Sequence, residues 1–295
     1  MLNNNNKLFI KKFILSLFLF LGVILFFKNS CNTNFPKINS YSQVKELFDH
    51  CDKNSLIIFD IDDTLITSQD AFANDVLFPW YFKIIAGIKY PKIIFDKEKI
   101  EYIASIVVQN SVRYVFDPDI VNIIKNLQNK NIPVIALSYM KAGTVGIIKN
   151  LPEWRANMLN NLDINFTSKY PDIIFKKLPQ KYNNYPCLYK GILCTNEESK
   201  GLTLGAFLDC YNLNPDKIIF FDDMKDNLVS VKKECQKRKI NFMGFQVTGV
   251  QLKRPVWNTK RALLQLDFLI EHEQWIPDEV ANKIINKEIK MKVQT

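Results

Sequence analysis

Three short apolar runs, each closing on a polar or acidic residue, constrain this chain more than any other feature. They are Ser55-Leu-Ile-Ile-Phe59 before Asp60, Ile132-Pro-Val-Ile-Ala-Leu137 before Ser138, and Lys217-Ile-Ile-Phe-Phe221 before Asp222. Runs without polar alternation suit strands buried on both faces, as in a parallel sheet covered by helices on either side. Helical patterns separate the runs, and the alternation predicts an α/β fold built on a doubly wound, mainly parallel sheet. With 47% hydrophobic and 23% charged residues among 295, a folded core is expected and a disordered chain is excluded.

Between these runs the pattern predicts a short helix over 42–49, helices within 70–116 (the second from about Asp96 to Phe116), and a helix opened by Asp117-Pro118 and ending near Asn131. A helix from about Ala142 and another containing Trp154 and Leu159 follow. Residues 163–198 read as irregular and tyrosine-rich, with a hairpin around 188–195. A helix opens at Ser199-Lys200, another runs over 227–238, a strand over 241–247, and amphipathic helices near 258–271 and 278–290 close the chain.

The formal charge is +9, from 39 Lys+Arg against 30 Asp+Glu. Residues 1–30 hold four lysines and no acid, so the remainder carries only +5, and four more lysines crowd the last thirteen residues. A basic stripe interleaved with stacking aromatics, which a nucleic-acid groove needs, is not evident, and no nucleic-acid partner is expected. The charge at the amino end instead precedes Phe13–Phe27, an apolar run interrupted only by Ser16 and Gly22. As a helix it would span about 22 Å, short of a bilayer core. The pattern predicts a signal peptide or signal anchor over 1–30, with 31–295 placed outside the cytoplasm, periplasmic, secreted or anchored at the inner membrane.

In an open α/β sheet, ligands bind beyond the carboxyl ends of the strands. The ends here carry Asp60-Ile-Asp62-Asp63-Thr64, Ser138 and Asp222-Asp223. Carboxylates gathered at one point need a cation, and an oxygen-only set suits a hard divalent ion such as Mg²⁺. Lys200, at a helix amino terminus, can neutralise an anion there. The chemistry suggested is phosphoryl transfer to an aspartate.

The same residues carry a family resemblance. Phe59-Asp60-Ile-Asp62-Asp63-Thr64-Leu65 resembles the first signature of the haloacid dehalogenase (HAD) superfamily. Ser138 after its apolar strand is similar to the second, Lys200 to the third, and Asp222-Asp223-Met-Lys-Asp226-Asn227 to the acidic fourth. The separations are 78, 62 and 23 residues between Asp60, Ser138, Lys200 and Asp223. The resemblance spans about residues 55–250; more narrowly, the chain is similar to exported bacterial HAD-like proteins of unassigned function. It implies a HAD-like Rossmannoid core and a Mg²⁺-dependent phosphatase acting on a small phosphorylated compound. Asp60 would be the nucleophile and Asp62 the acid and base. Asp60, the Asp62 carbonyl, Asp223 and Asp222 would hold the metal, and Ser138 and Lys200 the phosphate. Asp226 and Asn227 would orient Lys200 or a metal-bound water. Asp63 is expected to face away from the site and Thr64 to fix the loop. A small helical cap inserted at about 66–116, with an aromatic cluster at 72–82, would close over the site.

Asp62 counts against a hydrolytic dehalogenase, which needs no second aspartate. A receiver-type signalling domain would place its phosphorylated aspartate on a strand of its own, and no such strand is found. The reading from another class is a catalytically weak, membrane-tethered binding or host-interaction protein that keeps only the fold. Six cysteines fit an oxidising compartment. They lack C-x-x-C spacing, so a structural zinc site is not expected. Cys187 and Cys194 flank the expected hairpin, where they could pair or stay as buried thiols.

Overall fold

A computed structural model describes residues 34–74, 89–90, 96–166 and 170–293. The described residues from Pro36 onward form one compact unit. The expected export segment lies outside the described residues. Among the described residues no helix is long and apolar enough to cross a membrane.

The three apolar runs become adjacent central strands. In chain order the strands are β1 (Lys37–Ile38), β2 (Ser55–Phe59), β3 (Ile66–Ser68), β4 (Arg113–Val115), β5 (Val134–Ser138), β6 (Ile173–Ile174), β7 (Cys187–Tyr189), β8 (Ile192–Cys194), β9 (Lys217–Asp222) and β10 (Asn241–Val247). The main sheet runs β1-β10-β9-β2-β5-β8-β7-β6. Its strands from β1 to β8 pair in parallel, and β7 and β6 add an antiparallel edge. From β2 the chain moves to β5 and β8 on one side, then crosses to β9 and β10 on the other. The reversal falls between β2 and β9, and in such sheets the crevice opens there.

Both faces of the central strands are dry. Ile57, Phe59, Ala136, Ile219 and Phe221 join one core cluster. The alternate residues Leu56, Ile58, Ile218 and Phe220 are buried as well. On the first face the rings of Phe59, Phe221 and Phe245 stack across three neighbouring strands at 5.0 and 5.2 Å. Tyr41, fully buried, meets Phe59 and Phe221 edge-on. This aromatic floor fixes the height at which β2 and β9 end.

The helices are α1 (Lys45–Asp49), α2 (Lys97–Asn110), α3 (Asp119–Asn129), α4 (Leu151–Asn160), α5 (Lys200–Cys210), α6 (Lys225–Arg238), α7 (Gly249–Lys253), α8 (Thr259–His272) and α9 (Asp278–Val293). A 3-10 turn over Tyr41–Val44 leads into α1. Helix α3 buries Ile120, Ile123, Ile124 and Leu127 against the first face. Helices α5 and α6 pack on each other, with α5 contacting β5 and β8, and α6 contacting β9 and β10.

Four expectations about local structure need correction. No helix starts at Ala142: Gly143 and Gly146 sit at φ +87° and +51°, and the chain turns until Asn150 caps α4. Asp117 does not occupy the cap position of α3, which falls on Pro118; its carboxylate accepts from the backbone N–H of Tyr41 at 2.7 Å and of Asp119 at 3.2 Å. The helix expected to reach Phe116 stops at Asn110, because Arg113-Tyr-Val115 pairs antiparallel with Ile66-Thr-Ser68. The insertion at 66–116 is therefore not purely helical: a two-stranded stem carries α2. That helix packs on the carboxyl-terminal α8 through Ile103, Ile106, Val107, Leu266 and Leu269. Of the expected aromatic cluster, Phe72 stacks on Trp257 and Trp275 as core, and the members at 78–82 lie outside the described residues.

Candidate active site

Parallel pairing matches Phe59 with Phe221, so Asp60 and Asp222 emerge side by side at the crevice. The Asp60 N–H donates to the Phe221 carbonyl at 2.9 Å. Beyond Asp60 the chain folds back: the N–H groups of Leu65 and Ile66 both donate to the Ile61 carbonyl, at 2.9 and 3.1 Å. Asp63 takes the left-handed conformation at φ 55° that this turn requires. Thr64 fixes the loop, as expected. Its hydroxyl donates to Asp60 Oδ2 at 3.4 Å and accepts from the Asp223 N–H at 3.1 Å, tying the first acidic segment to the last. Its carbonyl accepts from the Tyr41 hydroxyl at 3.0 Å. Tyr41 was not singled out in the sequence, since nothing local marks it as a site residue.

Lys200, 1% exposed, is the first residue of α5, and Ser199 caps that helix by accepting from the Leu202 N–H. The ammonium reaches between Asp60 Oδ1 at 2.5 Å and Asp222 Oδ2 at 2.7 Å. Burial opposes its charge, but Asp222 and Asp60 outweigh that and hold Lys200 above its usual range. Gly201 lets the helix come this close. A Cβ there would sit 2.3 Å from the Ser230 carbonyl oxygen, while the Gly201 N–H donates to Ser230 Oγ at 3.0 Å.

Oxygens of Asp60, Asp222 and Asp223 all lie within 4.8 Å of one another. Burial raises Asp60 to about 6; the Lys200 ammonium pulls it down, and the Asp222 charge pushes it up. Burial, then the charges of Asp60, Asp222 and Asp63, push Asp223 up to about 9. Three carboxylates thus share one ammonium, and Asp223 holds a proton at neutral pH unless a further cation joins them. An oxygen-only set with surplus negative charge fits a hard divalent ion.

Ser138, the last residue of β5, is buried at the same end of the sheet. Asn227 donates to Asp222 Oδ1 at 3.0 Å and so orients that carboxylate rather than Lys200. Asp226 is exposed on the first turn of α6, lining a shallow groove with Ser199, Gly201 and Ser230; the structure does not bring it into the site. Asp63 faces away, with Oδ1 accepting from Thr67 at 3.0 Å and Oδ2 paired with Arg254 at 2.6 Å. An apolar cleft of about 490 Å³ lined by Ile174, Leu178, Leu202 and Ala206 lies apart from these acids.

Asp62 stands outside the three-carboxylate group. Arg155 forks onto both of its oxygens at 2.8 and 3.0 Å, and Arg113 adds a bond to Oδ1 at 3.2 Å. Both arginine side chains are 5% exposed or less. Sequence reading missed them, although a signal existed for one: Leu151, Arg155 and Leu159 share the buried stripe of α4, and an arginine there must have a partner inside.

Residues 37–282, which include every acid of this site, match the family described as "Protein of unknown function (DUF2608)". The chain belongs to the DUF2608 family. An uncharacterized protein of Rickettsia prowazekii is 25% identical over 249 residues, covering 83% of this chain and 88% of the relative. A Chlamydia trachomatis protein carrying the name "Putative outer membrane protein" is 26% identical over 219 residues, 72% of this chain and 77% of its own length. An uncharacterized protein of Rickettsia typhi is 29% identical over 158 residues, about half of each chain. No solved structure matches the chain.

Proposed function

We propose that this protein is a Mg²⁺-dependent phosphatase of HAD type, hydrolysing a small phosphomonoester through an aspartyl-phosphate on Asp60. The observation that carries the reading is the convergence of Asp60, Asp222 and Asp223 with the Lys200 ammonium at the reversal point of the sheet. Asp60, Asp223, Asp222 and the Asp62 carbonyl would hold the ion, which would supply charge neutralisation for the phosphoryl oxygens.

Asp60 attacks phosphorus in line, the bond to the leaving oxygen breaks, and that oxygen takes a proton from Asp62. In the second half Asp62 takes a proton from water as it attacks phosphorus, the bond to Asp60 breaks, and inorganic phosphate leaves. Ser138 donates to a phosphoryl oxygen, and Lys200 offsets the charge that builds there. The two-stranded stem adjoins the loop that carries Asp62, since Arg113 of the stem donates to Asp62 Oδ1.

One observation favours the second reading, a catalytically weak HAD-fold binding protein. Both Asp62 oxygens are engaged by guanidinium groups, and proton delivery requires that fork to loosen. Turnover of a panel of phosphate esters with Mg²⁺, with EDTA and as Asp60→Asn separates the two. Metal-dependent turnover abolished by the substitution is expected. Unchanged turnover in Asp60→Asn defeats the mechanism, and absence of both turnover and Mg²⁺ binding by calorimetry supports the binding protein.

The site is proposed to work outside the cytoplasm. The basic, apolar amino-terminal segment and the names of the chlamydial relatives support this placement. A reporter fused after residue 295 is expected to be active only outside the cytoplasm; cytoplasmic activity would refute it.

A further inference from the structure

The hairpin at the antiparallel edge of the sheet brings two cysteines face to face. Strands β7 and β8 are joined by Lys190-Gly191, both at positive φ (45° and 78°), a two-residue turn whose twist matches the strands. That turn sets the register Tyr189 with Ile192, Leu188 with Leu193 and Cys187 with Cys194. Directly opposed residues of antiparallel strands have Cα atoms about 4.5–5.5 Å apart, inside the ~4.4–6.8 Å range of disulfides. Cys194 is fully buried, Cys187 is partly exposed, and each is a free thiol. We infer that Cys187 and Cys194 are a redox pair that closes into a reversible intrachain disulfide across this hairpin.

The two opposed thiols are unequal. The neighbouring Cys194 thiol lowers the Cys187 pKa, while Cys187, together with burial, raises Cys194 well above the usual range; the Cys194 thiol donates to the Ile192 carbonyl at 3.7 Å. Cys187 is thus the thiolate that attacks first, and the more accessible of the two. The oxidant is an external disulfide, either a low-molecular-weight one or that of a thiol oxidoreductase. The Cys187 thiolate breaks its S–S bond, forms a mixed disulfide and releases one thiolate. Cys194 then loses its proton and attacks the Cys187 sulfur, releasing the second thiolate. Two thiols lose two protons and two electrons, and the oxidant's disulfide gains the electrons.

The linkage bears on the site through the sheet. Cys194 pairs in register with Ser138 on β5. The next two residues hold the loop after Ser138: Thr195 N–H donates to the Ser138 carbonyl at 3.1 Å and Asn196 N–H to the Met140 carbonyl at 2.9 Å. Asn196 Oδ1 accepts from the Ala142 N–H at 2.9 Å, and its amide reaches back to the Lys181 and Asn184 carbonyls. Closing the disulfide anchors the strand from which this network starts and so steadies Ser138.

The test uses the full chain equilibrated with glutathione disulfide or with dithiothreitol, alkylated under denaturing conditions and digested with trypsin. Peptides 182–190 and 191–200 are expected to be joined in the oxidised sample and separately alkylated in the reduced one. The thermal midpoint should be about 5 °C higher when oxidised, with the shift lost in Cys187→Ser and kept in Cys210→Ser. Full alkylation of Cys187 and Cys194 in the oxidised wild type, linkage of either to another cysteine, or an unmoved midpoint overturns the inference. Linkage is read without any turnover, so it stands or falls separately from the phosphatase reading.

Discussion

At Lys200 a single ammonium counters two carboxylates, all three side chains being buried. Replacing it with methionine keeps the stem but leaves Asp60 and Asp222 facing each other at the dry end of the sheet. Removing one partner of a buried ion pair costs about 3–5 kcal/mol, so Lys200→Met should lose that much in urea unfolding. Adding Asp60→Asn should return part of it, because the residues share one network; additive losses would show that the contact carries little energy. Arg155 has a different job. Its fork fixes the Asp62 carboxylate in one orientation through two parallel bonds, and lysine offers a point charge without the fork. Arg155→Lys is expected to lower kcat about tenfold or more with a smaller change in KM. A KM effect alone would make Arg155 a substrate-binding residue instead.

Among the elements, the contact between α5 and α6 decides where Lys200 sits. The helices meet at Gly201 so closely that a methyl group would press on the Ser230 backbone. Gly201→Ala should push α5 outward and cost about 1–3 kcal/mol, visible as a lower denaturant midpoint. Because Lys200 is the adjacent residue, turnover should fall more than stability explains; full activity in the folded variant would contradict this coupling. The strands that end at the site were legible as unbroken apolar runs, since burial on both faces leaves no polar alternation to confuse with a helix. The start of α5 at Ser199-Lys200 was legible as well, but the cap of α4 was not, and the false helix at Ala142 shows why. Apolar periodicity reads a stretch such as Val145-Gly-Ile-Ile148 as helical, while the positive φ of Gly143 and Gly146 follows from what they pack against. The stem at 66–68 and 113–115 was missed for a similar reason, because two three-residue strands far apart in sequence give no local period. Within the site, Asp60, Ser138 and Asp222-Asp223 could be read from strand ends and Lys200 from a helix start, whereas Arg113, Arg155 and Tyr41 act through long-range contacts.

For the whole molecule, the overall +9 conceals a site of opposite sign, and that site ties stability to pH and to cations. Asp60 is raised from 3.8 to about 6 and Asp223 from 3.8 to about 9, in both cases chiefly by burial. A carboxyl group with a raised value binds more protons in the folded chain than in the unfolded one. Its contribution is fully present below about pH 4 and is lost as pH rises, through about 6 for Asp60 and about 9 for Asp223. In EDTA, the calorimetric midpoint of the protein should therefore fall from pH 5 to pH 9, and Asp223→Asn should flatten the upper part of that fall. A divalent ion replaces the proton, so Mg²⁺ should restore the midpoint most at high pH. At a hundred times its dissociation constant it would contribute about 2.7 kcal/mol, and Asp60→Asn or Asp223→Asn should remove most of that gain. A midpoint that neither falls with pH in EDTA nor rises with Mg²⁺ would mean that Lys200 alone balances the three acids, and the metal-dependent reading would fail with it.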